Sequence, residues 1–174
     1  MTKSNIRVAG IVCQVRRGQL FVATHVPAKA KGLNDYSVTT ITGTFNGALK
    51  RGLSLEGQKK TMAETVCQHL GLLPIAILQN SPVPMEPRFH KEKVYVWQFV
   101  QLTPGAVVNP NPSEIQNLIW NNPQQLATSV LQMSGGRHEM FVDALQEVCR
   151  IGLFGASFRS ELLEQLKPAM KILA

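Results

Sequence analysis

Apolar and β-branched residues fill Ile6–Val15 (IRVAGIVCQV) and return over Leu20–Val26, with Arg16-Arg17-Gly18-Gln19 between them. Two such runs joined by a short polar, glycine-bearing link predict a hairpin. The stretch from Pro27 to Lys50 carries Gly32, Asn34, Asp35, Gly43 and Gly47 and reads as loop, interrupted by a short strand over Ser37–Thr42. Ser54 stands where an N-cap belongs. From there to Leu70, Met62, Val66 and Leu70, with Ala63 and Cys67 beside them, form one apolar stripe at helical spacing. Glu56, Lys60, Glu64 and Gln68 recur every four residues on the opposite face, and Gly71 ends the helix as a C′ glycine does.

Lys93–Leu102 (KVYVWQFVQL) is apolar at both alternating sets of positions, which predicts a central strand covered on both faces. Ile115–Trp120 is a further strand. Asn122-Pro123 opens a helix that runs to about Met133, with proline at the first helical position. Arg137–Arg150 is amphipathic, with Met140, Phe141, Ala144, Leu145 and Val148 on one face. Ser157–Lys167 is a last helix, with Phe158, Leu162 and Leu166 in line and Pro168 as its expected limit. That stripe predicts packing on its own domain; the alternative is a self-association surface and a homodimer. With no internal repeat and no long linker, the expected organisation is a domain over residues 1–152 with a helical extension, 153–174, packed on it.

Length and composition narrow the function classes. The 174 residues suit one domain with a real core. No apolar run approaches the ~18 residues of a membrane span, and the first residues lack the apolar segment of a secretory signal. Cys13, Cys67 and Cys149 form no CxxC pair, which argues against a disulfide framework or a cysteine zinc site. The expectation is a cytoplasmic protein with no membrane partner. Charge adds a partner class. Residues 1–100 hold 13 Lys/Arg against 5 Asp/Glu, whereas residues 101–174 hold 5 against 6. An anion-binding surface is therefore expected in the first hundred residues. The pairs Lys29/Lys31, Lys50/Arg51, Lys59/Lys60 and Lys91/Lys93 flank loops there. Tyr36, Phe45 and Phe89 also lie near loops, where an aromatic ring can stack on a base, while Trp97 sits within a core strand.

Several motifs are missing. Gly43–Lys50 lacks the spacing of a P-loop, no G-x-G-x-x-G follows the first strand, and His138-Glu139 has no second histidine to complete H-E-x-x-H. His25, His69, His90 and His138 show no ligand spacing. A Cys–His nucleophile pair would need tertiary contact.

The order of elements, with a helix ending in Leu70-Gly71-Leu72 and a later strand ending in Trp120 before Pro123-Gln124-Gln125-Leu126, resembles the Nudix family of hydrolases over roughly residues 5–150. The family's box reads G-x5-E-x7-R-E-U-x-E-E-x-G-U, with U aliphatic. Setting its final glycine on Gly71 places Leu72 and Val66 on aliphatic positions and Glu56 on the first glutamate. The R-E pair then falls on Glu64-Thr65 and the E-E pair on Gln68-His69, and the stretch from Gly43 to Glu56 is longer than the box's. The resemblance implies an α/β fold, a Nudix-like α/β/α sandwich with a mixed central sheet.

In the family the glutamates of this helix hold a divalent metal against a diphosphate. Thr65, Gln68 and His69 carry no carboxylate, and Mg²⁺ favours carboxylate and phosphate oxygens. The expectation is no metal at this helix and no cofactor. Glu56 and Glu64, each four residues from Lys60, read as a solvated face. Gln68 and His69 are expected near that face, where substitutions cost little.

The functional expectation is a Nudix-related protein that binds a nucleotide or another phosphorylated ligand, with little or no hydrolase activity. Lys50, Arg51, Lys59, Tyr36 and Phe45 are the candidate contacts. One alternative is a divergent hydrolase of nucleoside diphosphate derivatives, with Glu86, Glu92 or Glu114 holding Mg²⁺ or Mn²⁺. Another is an RNA- or protein-binding module that uses the basic first hundred residues.

Overall fold

The protein is represented by a computed structural model that describes residues 6–28, 41–44, 54–90, 92–133 and 137–173, without the side chains of 41–44, 137 and 169–173. The chain reverses at Arg17 (φ 51°) and Gly18 (φ 76°), between β1 (Ile6–Arg16) and β2 (Gln19–Pro27). Two successive positive φ angles give the turn the right-handed twist that the paired strands need.

β1 organises the sheet. One edge runs parallel to β6 (Lys93–Leu102), from Ile6↔Val94 to Gln14↔Leu102. The other edge is shared by β3 (Ile41–Thr44) over Arg7–Gly10 and by β2 over Cys13–Arg16, both antiparallel. β2 then leans across to β7 (Ile115–Asn121), pairing from Val22↔Asn121 to Pro27↔Ile115. β4 (Val83–Pro84) and β5 (Arg88–His90) pair with the outer edge of β6. Among the described residues this makes a mixed seven-stranded sheet with β6 inside it.

Each face of the sheet carries a core. Below it lies α1 (Leu55–Leu70), which sets Met62, Val66 and Leu70 against Val8, Val12, Val100 and Leu102. At Gly10 the helix comes so near that a Cβ would stand 3.0 Å from the Met62 Cε. On the other face lie α2 (Pro123–Leu131), α3 (Arg137–Arg150) and α4 (Ala156–Leu173). There Trp97 stacks on Phe141 at 5.7 Å between ring centres, and Phe99 meets the edge of Phe154 at 5.7 Å. β6 thus alternates Tyr95, Trp97 and Phe99 toward one layer with Val100 and Leu102 toward the other. Each such side chain contributes roughly 1.5–3 kcal/mol on burial. The α/β/α sandwich is the architecture expected from the doubly apolar strand and the one-faced helices.

Several details differ from expectation. α4 runs through Pro168 instead of stopping there. Pro168 and Glu164 are both exposed, so water can satisfy the carbonyl that loses its helical donor. Leu162 and Leu166 are fully buried with α2 and α3, so the stripe is core packing and not an open face. The strand expected at Ser37–Thr42 is present as β3 from Ile41, and residues 37–40 lie outside the described residues. α2 ends at Leu131 and begins with a capping box between Asn122 and Gln125. Among the described residues no helix is long and apolar enough to cross a membrane.

Candidate functional site

α1 is bounded by two caps that the sequence announces. Ser54 Oγ accepts the Gly57 N–H at 3.1 Å, and Gly71 takes the left-handed conformation at φ 61°. Between them the buried side of the helix is not wholly apolar. Gly57, Thr61, Thr65 and His69, spaced by four, are all buried in a column beside the apolar stripe. The Thr61 hydroxyl donates to the Gly57 carbonyl at 2.9 Å and the Thr65 hydroxyl to the Thr61 carbonyl at 2.8 Å. His69 Nδ1 lies 2.9 Å from the Thr65 carbonyl, which makes it the donor nitrogen. The column thus turns its polar hydrogens back into its own helix.

That orientation of His69 directs Nε2 toward Glu114, whose Oε2 is 3.5 Å away. The ring nitrogen that does not serve the helix thus faces a carboxylate oxygen. The His25 ring, nearly fully buried on β2, stands 6.4 Å from that of His69. The segment leading to Glu114 is tied down by the helix end, because Asn109 N–H donates to the Leu70 carbonyl and Asn111 N–H to the His69 carbonyl, each at 2.8 Å. Read from the sequence, Thr61 has no role and His25 is only a histidine without ligand spacing. The four-residue spacing Gly57-Thr61-Thr65-His69 was the available signal for the first; only the pairing of β2 with β7 brings in the second.

His69 is therefore buried, against the expectation of a place near the polar face, while Gln68 is exposed as expected. The shift follows from the width of the buried stripe, which extends one residue beyond Leu70's neighbours to meet the Glu114 segment. Glu56 and Glu64 point to solvent. The Glu56 carboxylate lies 4.0 Å from Lys59, three residues on, an exposed pair that contributes little.

Of the other acidic candidates only Glu114 reaches α1. Glu86 belongs to the α3 side, where its N–H donates to Glu147, and Glu92 is exposed in the turn between β5 and β6. Among the described residues no group of three or more His, Cys, Asp or Glu converges to hold a metal ion. Thr65 and His69 of α1 are committed to carbonyls of their own helix, and the carboxylate that reaches them, Glu114, stands beside the imidazole, a donor set that does not suit a hard divalent cation.

Among the expected ligand contacts, Lys59 lies in the first turns of α1, next to Ser81 and Pro82. Tyr36, Phe45, Lys50 and Arg51 lie outside the described residues. Phe89 is exposed on β5, and Trp97 is core. Burial disfavours the thiolate form of all three cysteines. Burial pushes Cys13 and Cys67 up, and it pushes Cys149 up to about 11 despite the opposing charge of Arg159.

No protein-family model matches the chain, and no curated protein matches it in sequence. Solved structures do match. An Ap4A hydrolase from C. elegans superposes with a TM-score of 0.59 at 11% identity, over 85% of this chain and 99% of that one. A Nudix hydrolase from M. smegmatis gives 0.54 at 11% identity, over 82% and 86%. A Nudix-family hydrolase from Clostridium perfringens gives 0.53 at 12% identity, over 83% and 98%. At such identities the likeness speaks for architecture: the chain has a Nudix-like fold.

Proposed function

We propose that this is a Nudix-related protein that binds a nucleotide or another phosphorylated ligand and has little or no hydrolase activity. The observation that carries the reading is the state of Thr65 and His69. Both are buried where the box register calls for glutamates, and both donate to backbone carbonyls of their own helix. Side chains that lack a carboxylate and are so engaged do not replace the glutamates that strip water from a hard cation. The binding half rests on charge: the excess of Lys and Arg in residues 1–100 favours an anionic partner. A structural neighbour named as an Ap4A hydrolase is in keeping with a nucleotide as that partner.

The test is a panel of nucleoside diphosphate derivatives with Mg²⁺ and Mn²⁺, following turnover and thermal shift together. The expected result is a shift without turnover. Metal-dependent release of phosphorylated products would establish the divergent hydrolase instead.

A further inference from the structure

A cavity of about 740 Å³ opens on the α1 side of the sheet, beyond the end of that helix, at the β1–β2 hairpin. We infer that it seats a nucleoside phosphate, with the base against Trp120 and the phosphate at Arg16 and Arg17. This assignment rests on the nucleotide-binding reading above and gives that binding a place away from the box helix.

The floor is built from one face of three strands. Gln14 stands opposite Phe21 across the hairpin, and Trp120 stands opposite Ala23 between β7 and β2, with Leu118 one pleat further on. The wall is the segment 104–108. Gln14 is 1% exposed and holds that wall in place, since its Nε2 donates to the Thr103 and Ala106 carbonyls, both at 2.9 Å. This leaves Gln14 Oε1 to accept from Arg16 Nη1 at 3.0 Å. The guanidinium so aimed lies 4.8 Å from the centre of the Trp120 ring.

A buried amide, an arginine and an indole thus form one chain of contacts, with Arg17 beside it at the tip of the hairpin. Among the described residues no Asp or Glu lines the cavity, so its cations lack local competitors for an anion. Its lining is otherwise mostly apolar, and its size is that of a small-molecule site, roughly 300–1,000 Å³. An apolar body with a fixed guanidinium at its rim selects a ligand with a flat ring and a charged end.

AMP is the probe, read by calorimetry and by tryptophan fluorescence. Trp97 is buried against Phe141 and supplies a constant background to Trp120. In the full chain AMP should quench the emission, and Arg16→Glu should weaken binding at least about tenfold through loss of a charge-assisted contact. Trp120→Phe, which keeps a ring in place, should remove the quench and weaken binding about threefold. Arg150→Glu, an exposed charge reversal on α3, should bind as the parent does. Melting curves of the variants establish that they fold.

If AMP binds and neither variant changes its affinity, the cavity assignment falls while the nucleotide-binding reading stands. Pyrophosphate binding as tightly as AMP, with the same loss in Arg16→Glu, would show an anion site without base recognition and overturn the assignment. If the parent binds no AMP at millimolar concentration but responds to another member of the nucleotide panel, only the cavity assignment is lost; silence to every member ends both.

Discussion

Two polar regions share one face of the sheet and differ in where their hydrogens point. Along α1, Thr61, Thr65 and His69 donate to carbonyls one turn back, so the column is closed upon itself. At the hairpin end, Gln14 donates to the wall of a cavity and accepts from Arg16, whose remaining donors face an open space. The donors along α1 are thus committed to structure, whereas Arg16 borders open space. Sequence position within a family motif and availability for chemistry are separate properties; the direction of each donor decides the second.

The segment between the two regions should be the most sensitive to change. Gly71 takes φ 61°, and a Cβ there would stand 2.4 Å from the Asn109 carbonyl oxygen, a backbone atom that cannot rotate away. Gly71→Ala should therefore cost about 3 kcal/mol in urea unfolding, from strain plus the lost fit of the loop to the helix end. A change under about 0.5 kcal/mol would mean that this loop is not pinned by α1. Next in size, His69→Ala should cost about 2 kcal/mol, because it empties a buried position and removes the partner of Glu114. A neutral result would place the imidazole outside the helix packing.

The double change Gln68→Glu with His69→Glu puts one carboxylate at position 69, facing Glu114, and a second at the adjacent exposed position 68. It should give the chain a Mn²⁺ affinity that the parent lacks, seen as a rise of about 1.4 kcal/mol in stability at tenfold excess over the dissociation constant. The starting stability should drop, since position 69 is buried. No difference in Mn²⁺ response between the two proteins would mean that these side chains do not converge. The smallest effect is expected for Thr65→Val, which keeps the shape and removes one hydroxyl. It should cost about 1 kcal/mol or less, because the Thr61 carbonyl still serves the helix.

Much of the fold was readable from local pattern. The doubly apolar Lys93–Leu102 became the inner strand β6, and Arg137–Arg150 and the Ser54 and Gly71 caps fall where periodicity and cap chemistry put them. The departures have local causes as well. Pro168 did not end α4 because its turn is exposed, and Leu162 and Leu166 became core only because α2 and α3 lie beside them.

The candidate sites were less readable. The box register on Gly71 drew attention to Thr65 and His69, yet nothing in the spacing revealed that both are buried or that Glu114 would come within 3.5 Å of one of them. Gln14, Arg16 and Trp120 are scattered over a hundred residues and follow no motif; β1, β2 and β7 must pair before they share a face. The sequence by itself determined the strands, the helices and their caps, because periodicity and capping act between residues a few positions apart. Only the tertiary structure decided which polar side chains are consumed internally and which border a cavity. That depends on strand register and on the loop laid against the helix end, contacts between residues far apart in the chain.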